Sequence, residues 1–322
     1  MSDSVLLWGG FNAVVVVLLA LDLGILTRKD REISFKESLI WSGVWTALAL
    51  VFNLVLWAVW PEHGIGEGLK PGDAAMQFFT GYLIERALSI DNLFVFIIIF
   101  SFFQVPKRLQ YQVLFWGIIG ALILRAIFIF AGAAIIERFE WTLYLFGAFL
   151  VFTGYKLAVQ KETKFNPDKN PGLRLMRRVM PVTGEYHGKK YFIKKHHKLT
   201  ATPLAAVLIV VAFTDLIFAL DSIPAIFAVT HNTFIVYTSN IFAVLGLRAL
   251  YFAVAELVHL FHFLNYGLCV VLIFIGLKML LAKWVHMNVG VSLIIVFAVL
   301  TISIVASVIW PEQKGETKGN AD

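Results

Sequence analysis

The sequence predicts an all-α, polytopic membrane protein with about nine transmembrane helices. Hydrophobic residues make up 59% of the 322 residues and charged residues only 15%, whereas roughly 25% of a soluble domain is charged. The mean hydropathy is +0.81. Apolar runs close to the roughly 20 residues that cross a bilayer recur along the chain. They cover 4–26, 39–60, 75–103, 109–136, 140–158, 203–228, 233–258, 264–283 and 289–310.

The basic residues between these runs predict the orientation of the chain. With the N-terminus outside, 19 of the 27 Lys and Arg residues fall in segments on the inner side and three on the outer side. Cytoplasmic loops carry an excess of Lys and Arg, so we expect the N-terminus outside and the C-terminus in the cytoplasm. The isoelectric point of 9.3 therefore reflects topology, and no nucleic-acid partner is expected.

The longest hydrophilic stretch, 160–199, is expected to be a basic cytoplasmic loop. It contains eleven Lys and Arg residues together with Pro and Gly, and its charges are expected to lie against anionic headgroups. Its neighbours His196 and His197 are interpreted as solvated. The single cysteine, Cys269, lies in an apolar run, so a disulfide framework is impossible and a packing role is expected.

An internal repeat relates the six central runs. An acid pair, an arginine and a glycine followed two residues later by a lysine recur in the same order. They are Glu85/Asp91 with Asp215/Asp221, Arg125 with Arg248, and Gly154/Lys156 with Gly276/Lys278, at offsets of 130, 123 and 122 residues. Because each copy has an odd number of helices, helices 3–5 and 6–8 would cross the membrane in opposite senses. Inverted repeats of this kind are a common plan of secondary transporters.

The repeat predicts five segments. Two N-terminal transmembrane helices occupy 1–74, the first three-helix repeat 75–159 and the basic cytoplasmic loop 160–202. The second three-helix repeat occupies 203–284, and the last transmembrane helix with the C-terminal tail occupies 285–322.

Four carboxylates are predicted inside the membrane, where an ionised one costs at least about 2.5–3.5 kcal/mol. They are Glu85, Asp91, Asp215 and Asp221. Two acids six residues apart on a continuous helix are separated by about 120° and about 9 Å, so they would not converge on one ion. A break is therefore expected, and Pro224 provides a cause beside Asp221.

These carboxylates favour a divalent metal ion as ligand. Arg125 and Arg248 leave the four acids with a formal charge of −2, and Asn92, Ser222 and Asn240 supply further oxygen atoms. An all-oxygen set suits Mg²⁺, Ca²⁺ or Mn²⁺ better than zinc or copper. The alternative is that acids and arginines form salt bridges that only hold the bundle together, although buried ion pairs contribute little net stability.

Other ionisable residues in or near the runs have simpler interpretations. Asp22 and Glu256 lie near the ends of runs and are expected to be interfacial. Lys156 and Lys278 are expected to reach towards the membrane surface. His259 and His262, one helical turn apart, are interpreted as an interfacial pair rather than a metal site.

The motifs GYLIERALSIDNLFVF, FTDLIFALDSIPAIFAVT and SNIFAVLGLRALYF resemble the TerC family of bacterial inner-membrane proteins. The chain to about residue 310 is similar to its Alx-type members. The resemblance implies a bacterial inner-membrane exporter of Mn²⁺ in which the ion is substrate rather than cofactor, and no enzymatic activity. The acidic positions of the family fall on Glu85, Asp91, Asp215 and Asp221.

The leading hypothesis is an alternating-access exporter of Mn²⁺, with protonation of the acids driving release. Transport of another divalent cation such as Ca²⁺ is an alternative. An intramembrane aspartyl protease using Asp91 and Asp221 is a second, although its usual sequence contexts are missing. A third is a stress-linked scaffold whose basic loop recruits partners.

Overall fold

The computed structural model describes residues 2–26, 34–61, 68–159, 170–195, 198–257, 263–285 and 287–310. Within these ranges the chain forms eleven helices and one two-stranded sheet. The helices are α1 (Ser2–Leu26), α2 (Phe35–Val59), α3 (Pro71–Phe102), α4 (Lys107–Arg138), α5 (Thr142–Val159), α6 (Pro171–Val179), α7 (Pro203–Phe227), α8 (Thr233–Leu245), α9 (Leu247–Leu257), α10 (Leu264–Leu280) and α11 (Val289–Ile309), and the strands are β1 (Phe192–Lys195) and β2 (Lys198–Ala201).

The fold confirms an all-α polytopic membrane protein. Six described helices, α1, α2, α4, α5, α7 and α11, are long and apolar enough to cross a membrane, and α8 with α9 forms a seventh span if the bent pair is counted once. The two other predicted runs are occupied by α3, which carries the first acid pair, and by the 17-residue α10. Each predicted run thus coincides with a helix or a helix pair, while the number of crossings stays a prediction.

Helices at equivalent places in the two triplets make matching contacts. α3 packs on α8, its counterpart α7 packs on α4, and α5 packs on its own counterpart α10. A Cβ at Gly154 would lie 3.0 Å from the carbonyl oxygen of Cys269, and one at Gly276 would lie 2.6 Å from that of Gly147. The offset of 122 residues converts the first contact into the second. The crossing of α5 and α10 therefore contains two equivalent contacts, in which a glycine of one helix lies against a carbonyl oxygen of the other.

Gly276→Ala should destabilise the protein by about 1–3 kcal/mol, because a methyl group has no room at this crossing. Gly120→Ala on α4 is the control, since a Cβ there meets nothing within 4 Å and alanine in a helix is favoured by about 0.5–1 kcal/mol. Thermal unfolding of the purified protein in detergent measures both. A Gly276→Ala variant as stable as the control would contradict the close crossing.

A break between α8 and α9 replaces the single helix expected over 233–258. α9 leaves Gly246 at 51° to α8. A Cβ at Gly246 would lie 2.6 Å from Nη1 of Arg86, so the approach of that side chain requires glycine. Arg86 donates from Nη1 to the carbonyl oxygen of Ala243 at 3.1 Å and from Nη2 to Oγ of Ser42 at 3.0 Å. A cation at the C-terminal end of α8 favourably meets carbonyl groups that lack helical donors.

The predicted break at Pro224 is wrong. α7 continues through this residue and ends at Phe227. Pro224 has no backbone N–H, so α7 lacks one hydrogen bond there. Because Pro224 lies in the last turn, only three residues of α7 follow it, and the helix is not interrupted. α3 is also continuous through Ser89 and Phe94. The acid pairs are therefore brought together by helix packing rather than by unwound backbone.

Part of the expected basic loop is folded. α6 packs on α7, and β1 pairs with β2 in an antiparallel hairpin. The hydroxyl of Tyr186 donates to the carbonyl oxygen of Phe103 at 2.8 Å, and that of Tyr191 donates to the carbonyl oxygen of Gln112 at 3.4 Å. Burial raises the pKa of both tyrosines to about 12, so both stay protonated donors at neutral pH.

Several sequence interpretations lie outside the described residues. They concern 160–169, His196, His197, His259 and His262.

Candidate functional site

A buried guanidinium group joins the two triplets. Arg125 on α4 is 0% exposed and forms an ion pair with Oε1 of Glu85 on α3. Its Nε and Nη2 donate to the two carboxylate oxygens of Asp215 on α7, each at 3.2 Å. Nη1 also lies 3.4 Å from Oγ of Ser222 and 3.4 Å from Oδ1 of Asn240 on α8. Two helices of each triplet therefore meet at one side chain.

Several buried polar atoms on α3 and α8 lack a partner. Among the described residues, Oε2 of Glu85, Oγ of Ser89, Nδ2 of Asn92 and Nδ2 of Asn240 are buried and make no hydrogen bond. Buried polar groups are usually satisfied, because an unsatisfied one costs about 1–3 kcal/mol. Two of these atoms belong to Glu85 and Asn240, whose other side-chain oxygens contact Arg125. Buried atoms of Asn53, Gln77, Gln112 and Arg248 also lack a partner, so unsatisfied groups are not confined to this cluster.

The second acid of each pair lines a separate cavity of about 250 Å³. Asp91 from α3 and Asp221 from α7 both border it, and Oγ1 of Thr153 on α5 donates to Oδ1 of Asp221 at 3.1 Å. Asn92 and Ser222 border it as well. Since Ser222 also reaches Arg125, the cavity and the arginine cluster adjoin.

The four predicted carboxylates are therefore divided into two neighbouring groups. Glu85 and Asp215 hold Arg125, whereas Asp91 and Asp221 face the cavity. In the described part of the chain, no three side chains of His, Cys, Asp or Glu are grouped closely enough to hold a metal ion. The expectation that all four acids surround one ion is not met in this conformation, and their role as metal ligands stays a prediction.

Arg248 does not balance the charge of this site, contrary to the sequence interpretation. It pairs with Asp22 of α1, and its guanidinium carbon lies 4.1 Å from the ring centre of Tyr111. Asp22 is buried within the protein, and its depth in the membrane stays a prediction. The break at Gly246 explains the difference from Arg125, because it redirects α9, which carries Arg248, by 51°.

Lys156 takes the place of Arg248 in the charge balance. It borders the cavity with Asp91 and Asp221 and is the repeat counterpart of Lys278. Four carboxylates against Arg125 and Lys156 leave a formal charge of −2. This count takes the arginine cluster and the cavity together; the cavity residues Asp91, Asp221 and the exposed Lys156 alone carry a formal charge of −1.

A larger cavity of about 1100 Å³ lies between the ends of α4, α7 and α10. Glu137, Glu140, His231 and Lys278 border it. Burial lowers the pKa of His231, and the Glu140 carboxylate opposes this shift only in part. The imidazole is therefore largely neutral at pH 7.

Sequence reasoning missed three contributors to these arrangements. Thr153 and Lys156 lie on α5, which carries no Asp or Glu. Arg86 follows Glu85 directly in the sequence. Lys156 had a signal, because it recurs in the repeat. Thr153 had none, since a single threonine in an apolar run is unremarkable.

Helices long enough to cross a bilayer, arranged around a buried charged cluster, define an integral multi-pass membrane protein. The family model described as "Integral membrane protein TerC family" matches residues 71–315, and the chain belongs to this family.

Relatives are similar over nearly the whole chain. "Uncharacterized membrane protein STKORF319" from Myxococcus xanthus is 49% identical over 94% of this chain and 92% of its own length. "Putative membrane-bound redox modulator Alx" from Salmonella typhi is 46% identical over 97% of both chains, and the protein of that name from Escherichia coli strain K12 is 46% identical over 93% of both. No solved structure matches the chain.

Arg125→Gln should lower the free energy of unfolding by about 3–5 kcal/mol, because two buried carboxylates lose their partner. The loss should shrink as pH falls, since protonation removes the unpaired charges. Thermal unfolding across a pH series measures both effects. Arg138→Gln is the control, because this arginine lies exposed at the end of the same helix. Equal unfolding temperatures for the two variants would show that the ion pairs do not hold the bundle.

Proposed function

We propose that the protein exports Mn²⁺ across the bacterial inner membrane by alternating access. The observation that carries the proposal is the cavity of about 250 Å³ that Asp91 and Asp221 share, one acid from each triplet. An acid from each copy of an inverted repeat, meeting at the interface of the copies, is the arrangement in which secondary transporters bind ions.

The lining of this cavity has the chemistry that Mn²⁺ requires. Two carboxylates, the hydroxyl groups of Thr153 and Ser222 and the amide oxygen of Asn92 are hard oxygen donors. Ions such as Mg²⁺ and Mn²⁺ are held by one or two carboxylates, with neutral oxygens and retained waters completing the coordination. A volume of about 250 Å³ leaves room for several such waters.

Arg125 determines which acids are free to bind a cation. It neutralises one of the two charges of Glu85 and Asp215, so these two carboxylates attract a further cation less strongly while they are paired. Asp91 and Asp221 then supply the attraction. Because Glu85 and Asp215 belong to different triplets, rocking of one triplet against the other changes the contacts of Arg125 and can expose further carboxylate oxygen atoms to the ion.

Repeat-related lysines border both large cavities. Lys156 borders the cavity of Asp91 and Asp221, and Lys278 borders the cavity of about 1100 Å³. In an inverted repeat, equivalent positions face opposite sides of the membrane. We therefore propose that the two cavities are the halves of one route, which open in alternation.

Proton antiport is the proposed driving mechanism. A carboxylate that takes up a proton loses the charge that holds the cation, so protonation of Asp91 or Asp221 from outside favours release. The returning proton then leaves on the cytoplasmic side, and the site is restored.

The other functions considered are less well supported. A cavity of about 250 Å³ is smaller than the roughly 300–1,000 Å³ pockets that take drug-sized ligands, so it suits an ion better than a peptide substrate of a protease. The relatives' name points to a redox role, but a dithiol couple within one chain needs two cysteines and this chain has only Cys269. Ca²⁺ remains the chief alternative cargo, because oxygen ligands accept both ions.

Asp91→Asn and Asp221→Asn should each reduce Mn²⁺ flux into proteoliposomes at least tenfold. Mutation of a residue that only hydrogen-bonds to a metal ligand lowers metal affinity or activity about 10–100-fold, and loss of a ligand itself should cost at least as much. Asp73→Asn is the matched control, since Asp73 lies exposed in the first turn of the same helix as Asp91. Unchanged flux in both site variants, with the protein inserted in normal amounts, would remove these acids from the mechanism.

Metal flux through the intact protein should be greatest for Mn²⁺ among Mn²⁺, Ca²⁺, Mg²⁺ and Zn²⁺. A proton gradient directed opposite to the metal flux should accelerate it. Protein-free vesicles are the control for leakage. Faster Ca²⁺ flux would reassign the cargo. If the rate of Mn²⁺ flux does not depend on the pH gradient, proton coupling is rejected, but the proposal of Mn²⁺ export is not.

A further inference from the structure

The short helix α6 has three distinct faces. Gly172, Leu173 and Met176 are buried. Arg174 and Arg178, four residues apart, form an exposed row on a second face. Leu175 and Val179, also four residues apart, form a parallel row beside it, and their side chains are 63% and 71% exposed. An exposed apolar row next to an arginine row is typical of helices that lie in a membrane interface.

The first turn of α6 is firmly built. Oδ1 of Asn170 accepts a hydrogen bond from the backbone N–H of Leu173 at 3.2 Å, and Pro171 occupies the first helical position. Both features favour a helix start. The two exposed rows are therefore presented by a regular helix with fixed geometry.

Contacts with α7 indicate the depth of α6 in the membrane. A Cβ at Gly172 would lie 3.1 Å from Ile209 and 3.1 Å from Phe213. The 25 residues of α7 span about 37 Å, whereas the hydrocarbon core is about 30 Å thick. Ile209 lies six residues after Pro203, or about 9 Å along the helix axis.

Phe213 lies ten residues after Pro203, or about 15 Å along the axis. If α7 is centred in the bilayer, Gly172 therefore contacts α7 roughly 5–11 Å inside the hydrocarbon. From there α6 runs back to Pro181, whose carbonyl oxygen accepts from the N–H of Ala201 just before α7 begins, so α6 extends from the acyl chains towards the headgroups.

We propose that α6 is a binding site for anionic phospholipids in the leaflet on which the α5–α7 connection lies. Arg174 and Arg178 hold the lipid phosphate, and the apolar row of Leu175 and Val179 contacts the first part of the acyl chains. Guanidinium groups bind phosphate oxygens through paired hydrogen bonds. A soluble phosphate would leave the apolar row in water, so a phospholipid satisfies both rows.

The site has a direct connection to the helix that carries the second acid pair. Leu173 and Met176 fix the buried face of α6, and the close approach at Gly172 leaves no space between α6 and α7. Phe213 lies two residues before Asp215 on α7. A lipid held by α6 is therefore bound to a helix that packs directly on α7, which carries Asp215 and Asp221.

The test measures the lipids that remain bound to the full-length protein. The protein is purified in mild detergent, mixed with equal amounts of phosphatidylglycerol and phosphatidylcholine, and analysed by native mass spectrometry. Arg174→Gln with Arg178→Gln should lower the ratio of retained phosphatidylglycerol to phosphatidylcholine about thirtyfold, because each of the two basic residues at an anionic surface contributes roughly 1 kcal/mol. Leu175→Ser with Val179→Ser should lower the retention of both lipids.

The matched control is Lys194→Gln with Lys195→Gln, which removes the same charge from exposed positions of β1. It should change the lipid ratio less than twofold. An equal fall in both double variants would show a diffuse charge effect and overturn the site on α6, and an unchanged ratio in the arginine variant would overturn it as well.

Two further measurements separate the other outcomes. If the glutamine variant loses its fold, Arg174→Lys with Arg178→Lys keeps the charge and should retain most of the preference for phosphatidylglycerol; loss of the preference in a folded lysine variant would reject the site. An excess of inorganic phosphate should leave the bound lipid in place. Complete displacement by inorganic phosphate would assign the arginines to a soluble anion instead.

Discussion

The ion pairs of Arg125 with Glu85 and Asp215 are the constraint on which the rest of the structure depends. These three side chains are almost completely buried, and inside a membrane no water can replace a lost partner. An uncompensated charge at this depth costs several kcal/mol. In this conformation the ion pairs therefore fix the relative register of α3, α4 and α7, and Asn240 of α8 contributes a further contact to Arg125.

The two acids of each pair consequently have different roles. The first acid of each pair is held by the arginine, and the second borders a cavity of about 250 Å³. On a continuous helix, six residues place the two acids of a pair on different faces. Helix geometry therefore separates an arginine-bound pair from a cavity-facing pair, although sequence alone suggested one cluster of four.

The two arginines that match in the repeat make different contacts. Arg248 occupies the position of Arg125 in the second copy, yet it binds Asp22 and so attaches α1 to the bundle. The break at Gly246 makes this possible, and Arg86 occupies the space beside it. By contrast, the crossing of α5 and α10 has kept both of its close contacts. Symmetry persists where the helices touch most closely.

The sequence by itself determined the membrane class and the positions of the apolar segments, and it singled out the acidic residues and the arginine that the structure places in the buried ion pairs and at the cavity, namely Glu85, Asp91, Asp215, Asp221 and Arg125. Composition and spacing carry this information, because hydrocarbon accepts only long apolar helices and makes every buried charge conspicuous.

Only the tertiary structure decided which charges meet. The partner of Arg248, the place of Lys156 beside the cavity, the continuity of α7 through Pro224 and the fold of α6 all depend on contacts between segments distant in the chain. Spacing along one helix specifies the direction of a side chain relative to that helix. It does not specify which neighbour lies there, because packing against the other helices sets that.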